Sequence, residues 1–134
     1  MPDHPQYLTH FSKPFYDNRH LDAAPFGSDQ GADMLRDVEH DHGVLPEGST
    51  IASLLPSGDV AGAHVDARAG DLEGLQSIYA AGFLLLRFTG RISPDDLVVL
   101  RSALLKLAEL SGTDEIHSIV LPDLDAFGRG QRSH

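Results

Sequence analysis

The pattern of apolar and polar positions is most regular in the second half of the chain, where it predicts one helix over residues 94–111. Ser93 supplies an N-cap oxygen, and Pro94 follows at a position where its missing N–H has no cost. Gly112 is placed to end the helix. Apolar residues recur at helical spacing on one face of this segment: Leu97, Leu100, Leu104, Leu107 and Ala108.

Short apolar runs flank this helix and predict strands. Residues 83–88 and 116–121 are short and rich in residues that favour strands. A strand, a crossover helix and a second strand form a β-α-β unit with parallel strands and a right-handed crossover. The main prediction is therefore a small single α/β (or α+β) domain with a β-α-β unit at residues 82–121. We expect Arg87, which lies within the first run, to reach the sheet edge or to pair with an acid.

An alternative interpretation continues a helix from Asp71 through Phe88 and gives a mainly α protein with a helical hairpin at residues 71–111. Gly82 argues against it, because a glycine inside a helix costs about 1 kcal/mol relative to alanine. Leu84 would also fall on the polar face of that helix. We therefore favour a helix over residues 71–81 that ends at Gly82, followed by the strand.

The remaining segments carry weaker signals. Ser28 or Asp29 can cap a short helix that runs to about His40. Residues 51–55 and 60–65 are modest apolar patches that we interpret as weak strands. Residues 29–125 then form the globular domain, and residues 126–134 are expected to be a polar surface tail.

Residues 1–28 predict an irregular N-terminal arm, since they contain four prolines and show no helical or strand period. The arm nevertheless holds five of the nine aromatic residues of the chain. Aromatic side chains often dominate the binding energy of protein interfaces. We therefore expect four of them to anchor a partner, with the alternative that they cover the protein's own sheet: Tyr7, Phe11, Phe15 and Tyr16.

Charge and composition narrow the classes of partner. The 20 acidic and 10 basic residues give a net charge of −10, which disfavours nucleic acid and anionic membranes and favours a basic protein partner. No apolar run is long enough to predict membrane insertion, and the first residues lack the pattern of a signal peptide. The chain has no cysteine, so disulfides and thiolate chemistry are excluded and a cytoplasmic location is expected.

The candidate chemistry is sparse. Glu39, His40 and His42 could contribute to a metal site, but the two histidines point to different sides of a helix, so we expect neither a metal nor a cofactor. Asp123 and Asp125 follow the last predicted strand, where ligands of open α/β sheets gather, and are candidates for acid–base work or a simple polar loop. No nucleophile elbow or phosphate-binding loop occurs.

One stretch carries a family resemblance. GFLLLRFTGRISPDDLVVLRSALLKLAE, followed by HSIVLPDL, resembles the strand, turn, helix and strand of STAS domains, the regulatory modules of sulfate transporters and anti-sigma-factor antagonists. The resemblance implies a β-α-β fold and a regulatory binding role. In that family an Asp-Ser pair after the strand supplies a serine that is phosphorylated. Residues 123–126, the corresponding segment here, contain no serine.

These observations favour a non-catalytic protein–protein interaction role, as an accessory subunit, adaptor or inhibitor of a larger assembly. The expected partner is another protein with a basic or apolar surface. A STAS-like regulatory module is the first alternative. A small hydrolase or metal-dependent enzyme is the second.

Overall fold

The chain forms a bundle of helices around one central helix. The computed structural model describes residues 4–18, 21, 23–41, 44–55 and 58–132. In chain order its elements are α1 (Pro5–His10), a 3₁₀ helix (Pro14–Asp17), α2 (Asp29–His40), α3 (Ile51–Leu54), α4 (Val60–Arg68), α5 (Glu73–Thr89), α6 (Pro94–Ser111), a π-helical segment (Ile116–Val120) and α7 (Leu121–Arg132).

The central helix is α5, and it is buried on all sides. Every residue from 77 to 87 is buried, as is Leu75. A helix that is apolar around its whole circumference has to be covered around its whole circumference. Helices α2, α4 and α6 pack along α5, while α1 and α3 cover smaller parts of it. Helix α7 packs against α1 and α6 and closes the bundle.

The α/β prediction is wrong, because no residue in the described ranges forms a strand. The expected strand at residues 83–88 is the second half of α5, which continues through Gly82 to Thr89. The weak strands at 51–55 and 60–65 are helices α3 and α4, and the run at 116–121 is helical as well. The alternative prediction of a helical hairpin is the one that fits, since α5 and α6 pack as neighbouring helices.

The physical reason for the error is that a short, continuous apolar run has the same appearance in a buried strand and in a helix that is buried all round. Periodicity identifies a helix by its polar face. Residues 83–86 have no polar face, because α2, α4 and α6 together cover the helix.

Gly82 lies where α5 and α6 approach each other. A Cβ atom at this position would come within 2.7 and 2.8 Å of the two methyl groups of Leu100. The propensity cost of a glycine in a helix is about 1 kcal/mol, and the close approach of the two helices compensates for it. The residue that argues against a helix in the sequence is therefore the residue that allows this helix pair to form.

Helix boundaries that depend on capping residues were predicted well. The Ser93 hydroxyl accepts a hydrogen bond from the Asp96 amide (3.1 Å), and α6 ends at Gly112 with a positive φ of 69°. The cap of α2 is Ser28 and not Asp29, since the Ser28 hydroxyl accepts from the Gly31 amide at 3.0 Å. Each of these caps depends only on residues close together in the chain, so the sequence is sufficient to predict it.

The expected polar tail is largely a helix. Helix α7 runs to Arg132, and Phe127 is 4% exposed within the hydrophobic core. The π-helical segment leads directly into α7, whose second residue is Pro122. A proline inside a helix removes one backbone hydrogen bond and crowds the preceding turn, and a π-helical turn is an irregularity that accommodates such a residue.

We predict that Gly82→Ala destabilises the protein by roughly 1–3 kcal/mol, because the added methyl group overpacks the contact with Leu100. Gly130→Ala in α7 is the matched control, since a Cβ atom there would lie 3.9 Å from the His10 ring, an ordinary contact. The control should stabilise by up to about 1 kcal/mol. Urea unfolding measures both changes, and equal stabilisation by the two variants would contradict the close packing of α5 and α6.

Candidate functional site

The aromatic side chains that were expected to anchor a partner lie mostly inside the protein. Tyr7, Phe11 and Tyr16 are 2%, 3% and 1% exposed, and Phe15 is half-buried against the same core. The Phe11 ring lies 5.1 Å from the ring of Phe83 in α5. The arm thus contributes to the protein's own core, as the alternative interpretation requires, although that core is a helical bundle and not a sheet.

The arm is regular where it contacts α5. Helix α1 and the 3₁₀ helix are each too short to show a period in the sequence. The backbone amide of His4 donates to the carbonyl of Arg87 (2.8 Å), which fixes the start of the arm to the end of α5. Each of these two elements has a proline in its first turn, where proline is favoured.

Arg87 is a buried cation that joins the arm to α5. Its side chain is 10% exposed, and Nη1 lies 3.4 Å from Oδ1 of Asp17, so one of the two expectations for this residue matches the structure. The guanidinium carbon lies 5.5 to 5.8 Å from the ring centroids of Tyr7, Phe26 and Phe88. Cation–π contacts of this kind stabilise a desolvated arginine. Arg87 therefore has a structural role.

The two carboxylates that were candidates for acid–base chemistry also hold elements together. Asp123 accepts hydrogen bonds from the Tyr16 hydroxyl (2.7 Å) and from Lys13 Nζ (2.7 and 2.9 Å), which ties the arm to α7. Asp125 pairs with Arg101 Nε at 3.1 Å and ties α7 to α6. They lie on a helix and not at the end of a strand, so they are not at the ligand-binding edge of an open sheet.

Two buried tyrosines have strongly perturbed acidity. Burial raises the pKa of the Tyr16 hydroxyl above its ordinary value, and the hydrogen bond to Asp123 and the charge of that carboxylate raise it further. Burial likewise raises the pKa of Tyr79, whose hydroxyl donates to the Ala23 carbonyl at 2.7 Å. Both phenols therefore remain protonated in the folded protein well into the alkaline range.

The candidate metal ligands do not form a site in the described part of the chain. Glu39 and His40 are exposed at the C-terminal end of α2, and His42 lies outside the described residues. No group of three or more histidine, aspartate or glutamate side chains converges elsewhere in those ranges.

The same helix displays a line of acidic side chains. Asp29, Asp33 and Asp37 of α2 and Asp41, the C-cap residue that follows it, recur at intervals of four residues and are all exposed. Within the described ranges, Arg36 pairs with Asp33 at 3.2 Å, and no ion pair reaches the other three. Like charges four residues apart destabilise a helix by about 0.2–0.5 kcal/mol per pair. This face of α2 therefore concentrates part of the negative charge of the protein.

A groove of about 820 Å³ lies between residues 45–50 and the turn that joins α5 to α6. Its floor is apolar, since Leu85 and Ile92 line it and are each 4% exposed. Its rim carries the charged side chains of Glu47, Arg91 and Asp96. This volume is within the range of protein ligand sites, which combine an apolar surface with a few placed polar groups.

The hydroxyl groups of the groove have structural partners. Thr50 and Ser93 cap α3 and α6, and the Ser49 hydroxyl donates to the Pro46 carbonyl. No histidine is among the described residues that line the groove. A serine or threonine nucleophile needs a base within hydrogen-bond reach, and the hydrogen bonds of Ser49, Thr50 and Ser93 join their hydroxyl groups to backbone atoms.

Sequence reasoning missed the groove. Its walls come from two segments about 40 residues apart, and neither contains a motif. One signal was present: residues 44–50 are a connecting segment rich in glycine, proline and serine, and such segments frequently carry binding residues on a rigid scaffold.

Comparison of the chain with models of known protein families, with curated proteins and with solved structures finds no match. The two segments that were expected as strands in the resemblance to STAS domains are helical here. None of the described helices has a stretch long and apolar enough to cross a bilayer.

We predict that the protein loses stability as the pH rises above about 10. The folded state raises the pKa of Tyr16 and Tyr79, so the stabilisation is complete below the pKa of an unfolded tyrosine and is lost above it. At pH 11 the ionisation of each of these tyrosines in the unfolded state should lower the free energy of unfolding by about 1.4 kcal/mol.

The measurement is the free energy of unfolding in urea at pH 8 and at pH 11. The drop between the two should be smaller by roughly 3 kcal/mol in the double variant Tyr16→Phe, Tyr79→Phe, since both ionisable groups are then absent. An equal drop in the unchanged protein and in the double variant would contradict the assignment.

Proposed function

We propose that the protein is a non-catalytic binding protein that accepts a segment of another protein in the groove between residues 45–50 and the α5–α6 turn. The observation that carries the proposal is an apolar floor beneath a charged rim. Protein interfaces have the same organisation, with an apolar centre and a polar margin.

The floor of the groove is preorganised. Leu85 belongs to the buried central helix, and Ile92 belongs to the same hydrophobic core. A ligand that contacts them meets side chains whose positions are fixed by packing, so little ordering entropy is lost on the protein side. The opposite wall, residues 45–50, is mostly exposed and can adapt to the segment that enters.

The charge of the protein supports a protein partner with a basic or apolar surface and not nucleic acid. A net charge of −10, part of it on the exposed face of α2, accelerates the approach of a positively charged surface and repels a phosphate backbone. The role is then that of an accessory subunit, adaptor or inhibitor. We place it in the cytoplasm, since a chain without cysteine needs no oxidising compartment.

Site-specific photo-crosslinking tests this function. A photoreactive amino acid replaces Glu47 at the rim of the groove, and in a matched control it replaces Glu109 near the far end of α6. Both positions are exposed acids, and the two ends of α6 are separated by roughly 26 Å. We expect irradiation in cells to give a discrete protein adduct from position 47 that is absent from position 109.

The same adducts from both positions, or none from position 47, would contradict the proposal. Mass spectrometry of a specific adduct identifies the partner and the segment of it that reaches the groove.

A further inference from the structure

The charged side chains on the rim of the groove differ in the ion pairs and hydrogen bonds that they form. Glu47 is exposed, and no ion pair within the described ranges involves it. Asp96 uses Oδ2 to accept a hydrogen bond from the Ile51 amide (3.3 Å), and no hydrogen bond from a described residue occupies its other oxygen. The exposed side chain of Arg91 supplies one positive charge on the same rim.

Apolar surface lies directly beside these acids. Leu45 and Pro46 precede Glu47 in the chain and line the groove with it. Pro94 lines it two residues before Asp96, and Leu85 and Ile92 form its floor. A ligand that fits the groove therefore needs an apolar side chain and a cationic one at neighbouring positions. With two acids and one base, the rim has a net negative charge. The net charge of −10 on the whole protein adds to the negative potential in the groove.

We infer that the groove recognises a short, extended peptide segment in which a lysine or arginine is adjacent to a large apolar residue. The apolar side chain packs against Leu45, Pro46 and Pro94 above the floor of the groove. The cation lies between Glu47 and the second carboxylate oxygen of Asp96. This inference rests on the proposed function and names the chemistry of the segment that the groove accepts. An acidic segment is excluded because the same carboxylates repel it.

Arg91 opposes the two acids and so limits the preference for a basic segment. A cation in the groove is attracted by Glu47 and Asp96 and repelled by Arg91, so the three side chains have effects of known sign. An exposed ion pair changes affinity only modestly, which sets the size of each effect at a few-fold. Opposite changes in affinity on substitution of Glu47 and of Arg91 cannot result from a general loss of structure.

The experiment uses three synthetic octapeptides with capped ends that differ at one position, with Leu-Lys, Leu-Gln or Leu-Glu at the centre of a Gly/Ser background. Fluorescence polarisation of the labelled peptides with the protein gives Kd, and methyl NMR locates the binding. We expect affinity to fall in the order Leu-Lys, Leu-Gln, Leu-Glu. The perturbed methyl signals should be those of Leu45, Leu85 and Ile92.

Substitutions of the rim residues test whether each charge weakens or strengthens peptide binding as predicted. Glu47→Gln should weaken binding of the Leu-Lys peptide about two- to fivefold, and Glu47→Lys should weaken it about tenfold. Arg91→Gln should strengthen it about twofold, by the same reasoning. Glu109→Gln removes one acid far from the groove and should leave Kd unchanged within a factor of about 1.5, because solvent and salt screen that distance.

The inference is overturned if the three peptides bind equally, if none binds, or if the perturbed methyl groups lie outside the groove. It is also overturned if Glu47→Gln and Glu109→Gln have the same effect. A specific adduct from position 47 without binding of the Leu-Lys peptide would reject the basic segment and leave the proposed function standing. Absence of both the adduct and the peptide binding would reject the two together.

Discussion

The burial of α5 on all sides is the constraint on which the rest of the structure depends. A helix whose residues from 77 to 87 are all buried cannot exist in water alone, so its stability depends on the elements that surround it. Helices α2, α4 and α6 cover most of it, and the aromatic side chains of the arm cover the remainder beside Phe83 and Arg87. The arm is thus part of the core.

The sequence predicted the elements whose signals are local and missed the elements whose signals are tertiary. Helices α2 and α6 have capping residues and a polar face, so their boundaries were nearly correct. Helix α5 has no polar face over residues 83–86, and the effect of Gly82 depends on Leu100, which lies 18 residues later in the chain. The arm showed no period because its two elements are shorter than two turns.

The candidate site likewise has features that the sequence shows directly and features that only the folded chain creates. The negative charge, on which the proposal of a basic partner rests, can be taken from composition. The groove could not be predicted, because residues 45–50 meet residues 85–96 only in the folded chain. Conversely, Asp123, which had the sequence context of a reactive acid, serves to hold Tyr16 and Lys13 against α7. The groove has a rigid floor because that floor is part of the central helix and its core.

Native-state amide hydrogen exchange tests the central role of α5 most directly. If α5 can form only when all its neighbours cover it, its amides between Tyr79 and Phe83 should exchange most slowly of the chain, with an opening free energy equal to that of global unfolding in urea. The amides of α1 should open at a similar or slightly lower free energy. Exchange of the α5 amides through local opening, faster than that of α6, would contradict the account.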